Sequence, residues 1–403
     1  MPVSRHVIPT SAPALHGRHP IRHFSFLDDD QRGAFFHVGP EAFDRLSPKA
    51  DLAHALGATL YTPSLHPRLE ERLSRALSDG VTSAVVCLED SIGNHEVPDA
   101  EANLAAHFGR LAKAPGAPLP LIFLRVRDPE QISRLADLIA EAMHLVAGFV
   151  LPKFSAENGP AWLASVAEVA GGASLPMYVM PVLEGPAVLY REQRLAELLA
   201  LADLLEEHND RVLAVRVGAT DLCGLLGLRR SMDETVYDLA PIRDCIADIV
   251  NMFGRPSSRL VITGPVWEYF DRQDRLWKPQ LRETLFERHS DTGRALRARL
   301  ISRHLDGLIA EVVADRANGL LGKTVIHPSH VRAVNALSVV TLEEYQDALA
   351  ILRLSGNGAS ASAFGNKMNE PKPHRAWAER LLARAKAFGV YREGVSFVEL
   401  LDA

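Results

Sequence analysis

Eight short apolar segments alternate with amphipathic segments along most of this chain, and this alternation limits how it can fold. The apolar segments are residues 59–63, 83–89, 121–126, 147–151, 176–183, 211–217, 259–262 and 321–326. Near-continuous apolar runs of this length are typical of parallel strands buried on both faces. Between them, residues such as Leu69, Leu73 and Leu77 recur at helical spacing. Strands that alternate with helices predict an α/β fold.

The number of strands selects the architecture. Eight β/α units close a parallel (β/α)8 TIM barrel, and a doubly wound open sheet is the alternative. We predict the barrel at residues 56–354, with an N-terminal extension at 1–55 and a linker plus helical tail at 355–403. The first 25 residues are expected to form a loose arm, and residues 271–291 a polar insertion.

Composition excludes some partners. The formal net charge is −6, which gives no electrostatic reason to bind nucleic acid or an anionic membrane surface. No apolar run reaches the ~18 residues of a membrane helix. The three cysteines are far apart and form no CxxC motif, which predicts a reduced, cytoplasmic protein.

Charged residues lie at or just after the ends of the predicted strands, and in a barrel the carboxyl ends of all strands meet at one mouth. They are Glu89, Asp90, Arg125, Arg127, Lys153, Glu184, Asp221, Lys323 and His327. Glu184 and Asp221 end neighbouring strands, which lie about 4.8 Å apart. Two carboxylates that close share either a proton or a cation, and oxygen-only ligands favour Mg²⁺ or Mn²⁺. The alternative is that each carboxylate caps the helix that follows it.

Arg125 and Lys153 each allow two interpretations. Arg125 lies within an apolar strand, where an unpaired guanidinium is unfavourable. It either faces the mouth and binds a substrate carboxylate or enolate oxygen, or forms a structural ion pair with Glu89 or Asp90. Lys153 is either an ion-pair partner or a Schiff-base amine.

The motifs at the strand ends, taken in order, resemble those of the superfamily of the citrate lyase β subunit, malyl-CoA lyase and 2-oxo-acid aldolases. They are Leu60-Tyr61-Thr62-Pro63, Leu88-Glu89-Asp90, Leu124-Arg125-Val126, Leu151-Pro152-Lys153, Glu184, Gly218-Ala219-Thr220-Asp221-Leu222 and Gly322-Lys323-Thr324-Val325-Ile326-His327-Pro328. The extended N-terminus and residues 264–270 are similar to a lyase-like branch associated with tellurium-resistance gene clusters. Ser64 and His66 differ from the Gly and Arg usual near the CoA-binding edge of that superfamily.

The resemblance implies a Mg²⁺-dependent carbon–carbon lyase or aldolase that acts through the enolate of a small 2-oxo or hydroxy acid, free or as a CoA thioester. It implies Mg²⁺ ligation by Glu184 and Asp221, catalytic roles for Arg125, Glu89 and Asp90, and substrate binding by Arg125, Lys153, Gly218 and Ala219. It also implies a homo-oligomer, a trimer or hexamer, in which the tail reaches a neighbour's site and Glu370 donates a proton. Two alternatives stay open: a malate-synthase-like Claisen condensation, and a non-catalytic ligand-binding or scaffold barrel.

Overall fold

The computed structural model describes residues 20–114, 118–173, 175–258, 260–270, 303–353 and 358–403. Its strands are β1 (Phe36–Val38), β2 (Ala58–Pro63), β3 (Ser83–Cys87), β4 (Leu121–Arg125), β5 (Val146–Leu151), β6 (Tyr178–Leu183), β7 (Ala214–Val217), β8 (Val261–Thr263), β9 (Lys323–Val325), β10 (Ser360–Ala361), β11 (Met368–Asn369) and β12 (Val390–Tyr391). Strands β2 to β9 correspond to the eight predicted strands. They form one parallel sheet in the order β8-β7-β6-β5-β4-β3-β2-β9.

The sheet returns on itself between β8 and β9. The amide of Leu321 donates to the carbonyl of Ile262 at 2.8 Å, and the amide of Gly264 donates to that of Gly322 at 3.0 Å. A third bond runs from the amide of Thr324 to the carbonyl of Gly264 at 3.2 Å. The predicted TIM barrel is therefore confirmed, and the open-sheet alternative is wrong.

Helices lie between and around the strands. They are α1 (Asp29–Phe35), α2 (Lys49–Ala55), α3 (Leu69–Arg75), α4 (Val97–Lys113), α5 (Pro129–Leu138), α6 (Gly159–Gly171), α7 (Pro186–Leu189), α8 (Arg191–Glu207), α9 (Ala219–Leu225), α10 (Ala240–Phe253), α11 (Arg303–Ala317), α12 (Ser329–Ala336), α13 (Leu342–Arg353), α14 (Pro371–Phe388) and α15 (Phe397–Asp402). The start of α5 shows how sequence sets these bounds. Asp128 accepts a hydrogen bond from the amide of Gln131 at 2.7 Å, and Pro129 occupies the first helical position.

The N-terminal segment belongs to the main core from residue 21 onward. Ile21, His23 and Phe24 are buried, and His23 donates a hydrogen bond to the carbonyl of Ala55 at 2.8 Å. Its ring lies 4.2 Å from that of Phe388 near the other end of the chain. The expectation of a loose arm through residue 25 is therefore wrong from residue 21 onward, because Ile21, His23 and Phe24 are buried in the core, although Arg22 and Ser25 are exposed. Residues 1–19 lie outside the described residues.

The C-terminal segment packs on α13 of the same chain. Asn369 donates to Asp347 at 2.8 Å, and Lys367 pairs with Glu343 at 2.6 Å and with Asp347 at 2.8 Å. The predicted insertion at 271–291 and the start of the predicted linker, 355–357, lie outside the described residues. Among the helices described, none combines the length and apolar composition needed to cross a bilayer.

Candidate active site

Six charged side chains from the ends of β3 to β7 meet at the carboxyl-terminal mouth of the barrel. We call them the mouth cluster: Glu89, Asp90, Arg125, Lys153, Glu184 and Asp221. The parallel register brings them together, because each residue ends or follows a strand paired with the next. The sequence predicted all six at this mouth.

Arg125 lies at the centre of the mouth cluster. Its Nη2 is 2.7 Å from Glu89 Oε2, 2.7 Å from Asp90 Oδ2 and 3.3 Å from Glu184 Oε1. Burial opposes its charge, but the carboxylates around it, Glu184 foremost, raise its pKa. The structure thus contains the ion pairs with Glu89 and Asp90 that one interpretation predicts. It also places the guanidinium at the mouth, where the substrate-binding interpretation requires it.

Glu184 and Asp221 are in contact with each other. Glu184 is only 3% exposed, and its burial, with a smaller contribution from the charge of Asp221, raises its pKa to about 7. Burial and the charge of Asp90 raise the pKa of Asp221. Neither residue caps a helix: the N-caps of α7 and α9 are Gly185 and Gly218, without a side-chain cap. The capping alternative is therefore wrong.

Lys153 adopts a backbone conformation that is unusual for a residue with a side chain. Its φ is +49°, in the left-handed region, and this orients its amide to donate to Glu184 Oε1 at 3.0 Å. Its ammonium group pairs with Glu89 and lies 3.4 Å from Asp90. Local strain of this kind is typical of functional sites. The contacts favour the ion-pair interpretation of Lys153.

Gly218 gives Glu184 its space. A Cβ atom at position 218 would lie 2.0 Å from Glu184 Oε2, so any other residue would displace this carboxylate. Helix α9 begins at the next residue, Ala219, whose amide is in the first turn and has no acceptor within the helix. Gly218 therefore lies against Glu184, and substrate binding by Gly218 and Ala219 stays a prediction.

Arg127 holds the loop that carries Glu89 and Asp90. Its guanidinium donates to the carbonyls of Leu88 at 2.7 Å and Glu89 at 3.0 Å, and to the side chain of Asn94 at 2.7 Å. Sequence reasoning placed Arg127 at the mouth without this role. Burial raises the pKa of Glu89. Burial alone would also raise the pKa of Asp90, but the hydrogen bond between Asp90 and Glu89 and the charge of Arg125 lower it.

Three other predicted residues lie apart from the mouth cluster. Lys323 is fully buried and pairs with Glu311 at 2.8 Å and Asp315 at 2.7 Å on α11. Its placement at the mouth is wrong, because Lys323 faces the helices and its neighbour Thr324 faces the barrel interior. His327 stacks on Phe270 at 4.9 Å. Glu370 precedes α14, and no hydrogen bond or ion pair among the described residues joins it to the mouth cluster.

The donor set suits a hard divalent cation. No group of three or more His, Cys, Asp or Glu side chains in the described ranges surrounds one point. Mg²⁺, however, is usually held by one or two carboxylates together with water and substrate oxygens. Glu184 and Asp221 supply two such carboxylates, and the absent side chain of Gly218 allows Glu184 to take its position. These residues fit Mg²⁺, and they would be its protein ligands.

The fold and this site define a class: a TIM barrel with acidic and basic groups converging at its mouth. The family described as "C-C_Bond_Lyase of the TIM-Barrel fold" matches residues 50–390, which is most of the chain. The chain therefore belongs to this family of carbon–carbon bond lyases. No curated protein matches it significantly. The narrower resemblance to a branch associated with tellurium-resistance genes stays a prediction.

Solved structures with a similar fold include two citrate-lyase-like proteins. A citrate lyase from Burkholderia xenovorans LB400 is 15% identical with a TM-score of 0.59, over 86% of this chain and 96% of that one. The protein CitE from Mycobacterium tuberculosis, in complex with magnesium, acetoacetate and coenzyme A, is 21% identical with a TM-score of 0.50, over 83% of this chain and 99% of that one. At these identities the likeness concerns the fold.

Proposed function

We propose that this chain is a Mg²⁺-dependent lyase or aldolase that cleaves a carbon–carbon bond through the enolate of a small 2-oxo or hydroxy acid. The contact between Glu184 and Asp221 carries the proposal, because two carboxylates this close need a proton or a cation between them. Membership of the lyase family and the magnesium and small acid bound to the M. tuberculosis protein support it.

In this proposal Glu184 and Asp221 hold Mg²⁺, and Arg125 stabilises the enolate. The bound ion supplies Lewis-acid polarisation of the 2-oxo group. Arg125 keeps its charge throughout, because its pKa is raised, and it can donate to the oxygen on which negative charge develops. Lys153, whose pKa is also raised, remains an ammonium group and holds Glu89 and Asp90 in place.

Glu89 and Asp90 would divide the proton transfers. When the bond breaks, its electron pair enters the enolate, the hydroxyl proton of the departing carbonyl fragment passes to a base, and the enolate carbon later takes up a proton. Environments that shift two carboxyl pKa values in opposite directions assign such roles. Glu89, with the raised pKa, is the group that can hold the proton, and Asp90 stays ionised.

A free acid, rather than a CoA thioester, is the simpler substrate for this site. Ser64, where the superfamily usually has Gly near the CoA-binding edge, is fully buried, and its hydroxyl donates to the carbonyl of Ala100. A CoA thioester is therefore not required by this proposal.

We further propose a homo-oligomer, a trimer or hexamer, in which Glu370 completes a neighbour's site and donates a proton.

Hydrogen–deuterium exchange at the methyl group of pyruvate tests the enolate chemistry without knowledge of the full substrate. In D₂O with Mg²⁺, we expect the wild-type protein to catalyse this exchange, followed by NMR. Asp221→Asn should abolish it, and so should EDTA. The matched control is Asp244→Asn, which neutralises a surface carboxylate on α10 that is half exposed. Exchange that persists in Asp221→Asn and in EDTA would contradict the proposal.

A further inference from the structure

A second arginine lies inside the barrel, below the mouth cluster. Arg216 on β7 is only 1% exposed. Its Nη1 is 3.7 Å from the sulfur of Met180 on β6, and its Nη2 donates to Thr324 Oγ1 on β9 at 3.3 Å. Its guanidinium carbon is 5.6 Å from the ring centre of Tyr61 on β2. Contacts with three separate strands place this guanidinium in the barrel interior.

Arg216 lacks an anionic partner. Within the described part of the chain no carboxylate lies within ion-pair distance of it, whereas Arg125 has three. A thioether is a weak acceptor and a hydroxyl is neutral, so these contacts do not balance a buried charge. Its Nε has no hydrogen-bond partner, and neither has the buried Oγ1 of Thr263, which is paired with Arg216 across β7 and β8. Unsatisfied buried groups of this kind call for an unseen partner.

Residues in contact with Arg216 reach toward the mouth, although Arg216 and Thr263 are themselves only 1% exposed. Tyr61 and Thr324, both in contact with Arg216, are half-buried although they face inward. Ile326, two residues further along the same face, is 39% exposed. On β7, Gly218 lies two residues beyond Arg216, about 6.6 Å along the strand, and it touches Glu184. Arg216 therefore lies below the mouth cluster at a separation that the second carboxylate of a small acid can span.

We propose that Arg216, Thr324 and Thr263 form an anion subsite that binds the second carboxylate of a dicarboxylic 2-oxo or 2-hydroxy acid. The mouth cluster holds the other end of this acid, so the inference rests on the function proposed above. One guanidinium flanked by neutral hydroxyls matches one carboxylate, which it can bind with two parallel hydrogen bonds. The chain would then distinguish dicarboxylic from monocarboxylic acids by this subsite.

Binding of lactate and malate in the presence of Mg²⁺ tests the subsite, because the two stable acids differ by one carboxylate. By isothermal titration calorimetry, we expect the wild-type protein to bind malate at least about tenfold more tightly than lactate, as a charge-assisted bond predicts. Arg216→Gln should bring the ratio close to one while leaving lactate affinity unchanged. Thr324→Val, a milder change, should lower the ratio severalfold. Arg375→Gln, at a side chain 63% exposed on α14, is the control.

The outcomes separate the two proposals. Equal affinity for both acids in the wild-type protein, or an equal loss for both in Arg216→Gln, overturns the subsite and leaves the proposed function standing. Should Arg216→Gln fail to fold, the wild-type ratio and the Thr324→Val ratio decide in the same way. Absence of Mg²⁺-dependent binding of either acid overturns the proposed function, and the subsite with it.

Discussion

The barrel contains two groups of buried or half-buried charges, and they differ in charge balance. The wall cluster, on the outer side of β9, consists of Arg230, Glu311, Asp315 and Lys323. Its two carboxylates face two cations, and each side chain belongs to a residue at most 4% exposed. A further carboxylate, Glu268, lies 3.7 Å from Arg230 at the edge of the cluster, with its side chain 22% exposed. The mouth cluster has four carboxylates and only two cations, and the side chains of Lys153 and Asp90 are about half exposed.

This difference separates a structural role from a functional one. Pairs that balance one another and exclude water hold β9 against α11, and losing one partner would strand a buried charge. At the mouth, two carboxylates are in excess and water has access. Burial raises the pKa of Asp315 to about 6 and that of Glu184 to about 7, and in each case a neighbouring cation, Lys323 or Arg125, opposes the shift. The excess negative charge at the mouth is what the proposed Mg²⁺ would balance, and the wall cluster has no comparable excess.

Removing one cation from each cluster should produce the largest difference. Lys323→Met is expected to lower the free energy of unfolding by about 3–5 kcal/mol, because Glu311 and Asp315 would stay buried without their partner. Lys153→Met, whose ammonium group is solvent-accessible, should cost less than about 1 kcal/mol. Urea denaturation of both variants measures this contrast. Similar losses at the two positions would show that the clusters do not differ as described.

Neutralising Glu184 should stabilise the metal-free protein. Its pKa is raised from 4.5 to about 7, so between these values the folded state binds more protons than the unfolded state, and stability falls as pH rises. At pH 8, Glu184→Gln is expected to raise the free energy of unfolding by up to about 3 kcal/mol, and the gain should vanish near pH 4. Urea denaturation in EDTA at both pH values tests this. A gain that is equal at pH 4 and pH 8, or a loss at pH 8, would contradict the account.

A hydrogen bond links the two clusters, and its removal should have the smallest effect. Thr220, next to Asp221, donates to Glu268 Oε1 at 2.6 Å, and Glu268 lies 3.7 Å from Arg230. Thr220→Val should weaken Mg²⁺ binding by about fivefold, as expected for the loss of roughly 1 kcal/mol. Thr220→Ser keeps the hydroxyl and should bind as the wild-type protein does. Calorimetry that finds the two variants equal would exclude a positioning role for this bond.

Much of the fold could be predicted from the sequence because buried parallel strands are short apolar runs with Gly or Pro at their ends. The N-terminal segment could not be placed, because β1 pairs with β12 from the opposite end of the chain, and local patterns carry no signal for such pairing. The sequence also could not show which side of β9 the side chain of Lys323 faces. In β9 two polar residues, Lys323 and Thr324, are adjacent, so alternation does not show which of them faces the interior.

The candidate site was predictable where a charge follows an apolar strand, directly at Glu184 and, at Asp221, in the first turn of the helix α9 that follows β7. Arg216 was missed although it carries the signal that revealed Arg125, a guanidinium within an apolar strand. Its partners, Met180 and Thr324, are far from it in sequence, so only the fold shows that no carboxylate among the described residues pairs with it. Glu268 and Arg230 lie on loops without any such pattern, and their link to Thr220 could not be foreseen.

Calorimetric titration of Mg²⁺ into the metal-free protein at pH 8 tests the central claim most directly. The account predicts one Mg²⁺ per chain in the wild-type protein and in the surface variant Asp244→Asn. It predicts that Glu184→Gln and Asp221→Asn each weaken binding by more than about a hundredfold, because losses outside the ligand shell alone cost about 10–100-fold. Wild-type Mg²⁺ affinity in both variants, with the fold intact, would contradict the assignment of these two carboxylates.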